Sequence, residues 1–221
     1  MDKKTGTDIS LSTWIPYNTN WKSIVHLAAA SSIYSSWEDC VTDNIIATYN
    51  VIKHCPIDAK IIFASSCAAS HTALHWYGRS KAICEDMIKD SGLTYTIFRF
   101  YNVAGGKDVN GHIIPRAIHA AKTEEPLYIF GDSVRDYVSI FDVIERIKEA
   151  VNGNYNNEIV DVGTGIGTCT SDIINKVEEL TGKIIKKVYC GKNPIEDDVL
   201  VCPVIDNRYN TDLDSIIRSA L

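Results

Sequence analysis

Residues 60–100 read KIIFASSCAASHTALHWYGRSKAICEDMIKDSGLTYTIFRF, and this stretch decides the fold. Lys60–Ser65 is a short apolar run of the kind that forms a strand buried on both faces. Trp76–Asp90 carries helical spacing, with Gly92 as its stop signal. Thr94–Phe100 is a second strand. Strand, helix and strand in succession make a βαβ unit, which implies parallel pairing.

The pattern continues outward. Ser23–Ala30 (SIVHLAAA) reads as an earlier buried strand, and Glu38–His54 as the helix that joins it to Lys60, stopped by Pro56. Downstream, helices are expected over 113–122, 142–151, 171–180 and 211–220, and strands over 127–130, 137–140, 158–162 and 184–188. The composition fits one folded α/β chain: 221 residues, 45% apolar and 23% charged. With Lys+Arg 22 against Asp+Glu 28, the net charge of −6 and the lack of a basic run argue against nucleic acid as a partner. No apolar run approaches the roughly 18 residues a membrane span needs, and Met1–Ser10 carries no signal segment. Seven scattered cysteines (40, 55, 67, 84, 169, 190, 202) without a CxxC pair read as reduced thiols of a cytoplasmic protein, and no spacing supports a metal site.

Open parallel sheets bind ligands at the carboxyl ends of their strands, so the residues that follow each strand matter most. After Lys60–Ser65 come Ser66 and Cys67, then Tyr77 and Lys81. Tyr and Lys at i and i+4 share a helical face. An ammonium there favours the phenolate and is expected to bring the Tyr pKa down from about 10, making Tyr77 a general base. Ser66 would hydrogen-bond the same substrate oxygen. Spacing alone does not decide, because Tyr49 and Lys53 repeat it. Only Tyr77 follows a strand-end serine pair.

With these residues in view, the chain resembles the extended short-chain dehydrogenase/reductases. Within them it is similar to the NAD-dependent nucleotide-sugar epimerase/dehydratase group, the UDP-glucose 4-epimerases especially. The matches run in order over most of residues 7–206. Thr7-Asp8-Ile9 resembles the adenine contact, and Val25-His26-Leu27-Ala28-Ala29 the cofactor-lining strand. Asn44 resembles the family's helix asparagine, and Ser65-Ser66 with Tyr77 and Lys81 the catalytic set. Phe98–Val103, with Phe100 and Asn102, resembles the stretch that holds the nucleotide-sugar. Gly131–Val138, with Arg135, resembles the phosphate-holding stretch. Asp161–Gly165 resembles a turn late in the family's chain.

The resemblance implies an incomplete Rossmann-like parallel sheet flanked by helices and a small C-terminal α/β substrate-binding part. Residues 1–110, with strands near 137–140 and 158–162, would form the cofactor and catalytic part, and 111–221 mainly the substrate-binding part. It implies Ser66, Tyr77 and Lys81 as catalytic residues. Asp8, Ile9, Leu27, Ala28, Ala29, Asn44, Ser65, Tyr77, Lys81 and Phe100 would contact NAD. Ser66, Asn102, Arg135 and Asp198 would contact the nucleotide-sugar. It further implies a homodimer through helices 38–54 and 76–90. Simpler readings stand beside several of these. Asp8 is equally a turn or cap residue, Asn44 a backbone hydrogen-bonder, and Arg135–Asp136 a surface pair. His71 and His75 lie near the presumed site, and the four tryptophans read as packing residues.

The chain also departs from the family. No GxGxxG fingerprint occurs near the N-terminus, and only 22 residues precede the Ser23 strand, where a βαβ unit takes 30 or more. The glycine turn that grips pyrophosphate is therefore expected to be missing, leaving an open sheet edge for a partner chain or a complementing N-terminal fragment. Gly163–Gly167 looks like a fingerprint, but no acidic ribose ligand follows at the right distance. Cys67 and Ala68 stand where sugar dehydratases carry an Asp-Glu pair, which favours epimerisation. Ser31 replaces a cofactor-contacting lysine, and near Pro194–Asp198 only the acidic side of the late nucleotide clamp is present. The other readings are a catalytically impaired nucleotide-sugar-binding or assembly protein, and a nucleotide-sugar reductase or dehydratase.

Overall fold

A computed structural model describes residues 10, 20–70, 75–106, 111–191, 199–203, 209 and 212–221. Along the chain the first elements are β1 (Ser23–His26), α1 (Trp37–Asp39), a π-helical segment Cys40–Ile46, α2 (Ala47–His54) and β2 (Lys60–Ser66). A 3₁₀ turn (Cys67–Ser70), α3 (Trp76–Asp90), β3 (Thr94–Phe100), β4 (Asn102–Ala104), α4 (Ile113–Thr123) and β5 (Leu127–Ile129) follow. The remainder is β6 (Val134–Ser139), α5 (Ile140–Val151), β7 (Glu158–Val162), β8 (Gly167–Cys169), α6 (Thr170–Thr181), β9 (Lys187–Tyr189), β10 (Val199–Leu200) and α7 (Leu213–Ala220).

The chain divides into two compact units, residues 1–100 with 146–161, and residues 101–145 with 162–221. The first holds a four-stranded sheet in the order β1-β2-β3-β7, in which β1, β2 and β3 run parallel. Its strands are parallel-sheet strands because they are apolar on both faces: Ile61, Ile62, Phe63, Ile97 and Phe98 are all essentially inaccessible. Ile61, Phe63 and Ile97 pack on Ala47, Val51, Cys84 and Ile88 of α2 and α3. This is a Rossmann-like arrangement of parallel strands flanked by helices.

The sequence expectation of one helix over 38–54 is met by a composite. Ser36 caps α1 by accepting from the Asp39 amide (3.0 Å), and the chain then widens into the π segment before closing as α2. The strand expected over 23–30 stops at His26, and residues 27–30 are loop. β1 pairs with β2 on one side, and Val25 (38% exposed) and Leu27 (60%) stand in the open near its end.

The second unit is built on an aliphatic core. Ile114, Ala117, Ile118 and Ala121 of α4 meet Ile173, Ile174 and Val177 of α6, and Ile216 and Ile217 of α7 close the cluster. Small sheets frame it: β10-β6-β4 with β8 beside β6, and β5 beside β9. The strand expected over 137–140 begins earlier, at Val134, because Arg135 and Asp136 sit within it, and charged residues hid its start. The strand expected over 184–188 lies at 187–189.

Candidate active site

Everything converges where β2 ends and α3 begins. Ser66 is the last residue of β2, and its hydroxyl accepts from the Ala68 amide (3.2 Å), fixing the 3₁₀ turn that follows. α3 opens at His75, an N-cap whose Nδ1 accepts from the Gly78 amide (3.0 Å). The helix start lies hard against the 3₁₀ turn. A Cβ on Gly78 would fall 2.5 Å from the Ala68 carbonyl oxygen, so only glycine lets the two approach. That approach sets Tyr77 and Ser66 hydroxyls within hydrogen-bond reach. Gly78 was not among the sequence candidates; its place directly after Tyr77 was the available signal.

Lys81 lies one turn on, buried, with its ammonium donating to the Ala64 carbonyl (2.7 Å). Its Nζ stands 4.6 Å from the Phe63 ring centroid and 5.9 Å from that of Tyr77. Burial lowers the Lys81 pKa to about 8, against the opposing pull of Cys84, Glu85 and Cys40. The Tyr77 phenol differs from the sequence expectation. Burial pushes it up to about 12, and the hydrogen bond with Ser66 only partly offsets this. An ammonium that turns to a backbone carbonyl does not by itself bring the phenol toward neutrality.

The other candidates fall into three groups. Asn44 sits in the π segment, and its carboxamide is committed to protein. Its oxygen accepts from the Ala30 amide (2.8 Å), and its nitrogen donates to the Ala30 carbonyl (3.2 Å) and to Ser80 Oγ (2.8 Å). It thus ties the loop of Leu27, Ala28 and Ala29 to α3, a positioning task. Ser65 turns away from the strand end and donates to buried Glu85 (2.5 Å), and Phe100 stacks on Phe98 at 5.7 Å. In the second unit, Asn102 donates to the Asp136 carbonyl (3.2 Å), and Arg135 donates to the Val134 carbonyl (3.0 Å). Asp8, Ile9, His71 and Asp198 lie outside the described residues.

Asp136 corrects the surface-pair reading: it is fully buried. Its carboxylate accepts from Thr164 N (2.9 Å), Thr164 Oγ1 (2.6 Å), Gly165 N (2.8 Å) and Cys202 N (3.2 Å). The fingerprint-like turn at 163–167 is therefore filled by the protein's own carboxylate. A Cβ at Gly163 would lie 2.7 Å from Asp136 Oδ2. Among the described residues no group of three or more His, Cys, Asp or Glu could hold a metal ion, and no helix is long and apolar enough to cross a membrane.

The chain has known relatives. Residues 15–163 match the NAD dependent epimerase/dehydratase family. The chain belongs to that family. NAD is the family's cofactor. A UDP-glucose 4-epimerase from Rhizobium meliloti (strain 1021) is 28% identical over 225 aligned positions, which cover 81% of this chain and 68% of that protein. Solved structures share the fold. The UDP-glucuronic acid 4-epimerase of Bacillus cereus, in complex with UDP-4-deoxy-4-fluoro-glucuronic acid and NAD, gives a TM-score of 0.85 at 22% identity, over 98% of this chain and 77% of that one. The UDP-glucose 4-epimerase of Thermus thermophilus, in complex with NAD, gives 0.81 at 22% identity, over 96% and 81%.

Proposed function

We propose that the chain is an NAD-dependent epimerase of a UDP-sugar. The observation that carries this reading is the pairing of the Tyr77 and Ser66 hydroxyls with a buried ammonium, Lys81, one helical turn away. Tyr77 takes the proton of the sugar hydroxyl, and Ser66 holds the same oxygen by a hydrogen bond. Lys81 and Tyr77 would hold the nicotinamide ribose, with Leu27, Ala28 and Ala29 lining the cofactor. The donor set suits the group: a buried cation with a phenol, beside exposed apolar residues at the end of β1. NAD, when bound, accepts a hydride from the sugar carbon and returns it, and its oxidised ring is cationic. A phenol held near 12 is a poor base at neutral pH, so Tyr77 needs cationic surroundings to act, and Lys81 is the protein's own contribution.

In the same reading the second unit holds the UDP-sugar through Asn102 and Arg135, the guanidinium binding phosphate oxygens. Cys67 and Ala68, both buried in the 3₁₀ turn, supply no carboxylate to eliminate water, which supports epimerisation over dehydration. Ile46 (40% exposed), Tyr49 (54%) and Ile83 (39%) give α3 and the helix before it apolar surface for a homodimer. The test is turnover of UDP-glucose or UDP-galactose with added NAD. Tyr77→Phe is expected to lower the rate by about 10²-fold or more. Equal turnover by the two proteins would overturn the assignment.

A further inference from the structure

Beneath Ser66 lies an ion pair that takes no part in the proton transfer. Glu85, one turn beyond Lys81 on α3, has a side chain only 2% exposed, and Arg99 of β3 meets it. The guanidinium binds it in two-pronged fashion, Nε to Oε1 (3.0 Å) and Nη2 to Oε2 (2.6 Å). Two serine hydroxyls complete the cluster: Ser65 donates to Glu85 Oε1 (2.5 Å), and Ser70 accepts from Arg99 Nη1 (3.1 Å). Ser65 and Ser70 bracket residues 66–69, the segment that carries Ser66. A buried pair of this kind adds little stability over an apolar pair of equal volume, so stability alone does not account for it.

We propose that Glu85 and Arg99 are positioning residues for the Ser66–Tyr77–Lys81 site. Their clamp fixes both ends of the Ser66 segment, and the Glu85 carboxylate supports the Lys81 charge. The inference rests on the epimerase reading of that site. The groups facing Lys81 are Tyr77, Cys84 and Glu85 on its own helix, Cys40 of the π segment, His26 of β1, and the Ala64 carbonyl and Phe63 ring of β2. Glu85 is the carboxylate among them. Removing its charge leaves burial less opposed, and the ammonium is lost at lower pH.

Glu85→Gln keeps the shape and removes the charge, whereas Ser70→Ala removes one anchor at an exposed residue and leaves the ion pair intact. Lys81 is followed by NMR of labelled lysine, and turnover is followed against pH. In Glu85→Gln the Lys81 titration and the alkaline limb of kcat should both move below their wild-type positions. In Ser70→Ala the limb should stay put, while kcat falls about tenfold at unchanged KM, the loss expected for a charge-assisted hydrogen bond, and amides 67–69 exchange faster. An unmoved Lys81 titration in Glu85→Gln, or wild-type kcat and exchange in Ser70→Ala, overturns the clamp. Should Glu85→Gln not fold, the pair Ser65→Ala with Ser70→Ala decides by the same exchange and kcat measurements. A wild-type protein without turnover whose Lys81 titration still shifts in Glu85→Gln would overturn the epimerase reading and leave the clamp standing.

Discussion

The two units bury different things. The first keeps His26, Lys60, Lys81 and Glu85 at 6% exposure or less, each with a specific partner. The second has an aliphatic core, and among the described residues the charged group buried there is Asp136. Buried charge requires pairing or hydrogen bonds to be tolerated, and its concentration in the first unit accords with the site proposed there. In the second unit a single carboxylate serves as a knot, joining β6 to the turn at 163–165 and to Cys202. Substitutions at the buried carboxylate of the second unit should therefore act on stability, and those at the buried charges of the first also on pH dependence.

The largest expected effect cuts the knot. Asp136→Ala strands two buried amides, the half-buried Gly165 amide and one hydroxyl, each of which had a carboxylate partner. It should lower stability by about 3–5 kcal/mol, as for breaking other buried charged networks. Urea unfolding measures this, and a loss below about 1 kcal/mol would show that water takes over the role.

Next comes acid. His26 hydrogen-bonds Thr48 (3.0 Å), and burial, aided by Lys81, depresses its pKa to about 3. The unfolded chain takes up this proton near pH 6.5, and the folded chain does not until about 3. Stability is thus lost as pH falls through that window, by on the order of 4 kcal/mol in all. His26→Gln should flatten this part of the stability–pH curve. An unchanged slope would place the acid sensitivity elsewhere.

Lys81 gives an effect of the same sign, smaller in size and in an alkaline window. Its folded pKa, about 8, lies below the ordinary 10.5, so the folded state disfavours the ammonium. Stability should rise as pH increases from about 8 to 10.5, and Lys81→Met should gain about 2 kcal/mol at neutral pH while abolishing turnover. A destabilised Lys81→Met would mean that the bond to the Ala64 carbonyl outweighs burial.

The parallel strands and the Tyr77 helix were legible because each rests on a local pattern: apolar runs and helical spacing. Trp76–Asp90, Thr94–Phe100 and Glu158–Val162 fall where the pattern puts them. What stayed hidden depends on contacts distant in sequence. β4, β8 and β10 are two or three residues long and exist only through their pairing with β6. The roles of Asn44 and Ser65 hinge on Ala30 and Glu85, 14 and 20 residues away. The Tyr77 pKa is set by burial, which the Tyr–Lys spacing does not encode.

Neighbours on α3 provide the sharpest and smallest test. Asp86 follows Glu85 directly, and it too meets a cation, Lys89, at the same 2.6 Å as the Glu85–Arg99 pair. The Asp86 side chain is 70% exposed, where that of Glu85 is 2%. Water screens the outer pair and competes for both its partners, so Asp86→Asn should change stability by less than about 0.5 kcal/mol. Glu85→Gln, one position earlier, leaves the partly exposed Arg99 facing an uncharged amide at a buried position and should cost several times more. Denaturant midpoints of the two variants, measured side by side, compare burial at nearly constant chemistry. Equal losses would mean that water reaches Glu85, and with it that the first unit's buried charges are screened like those on the surface.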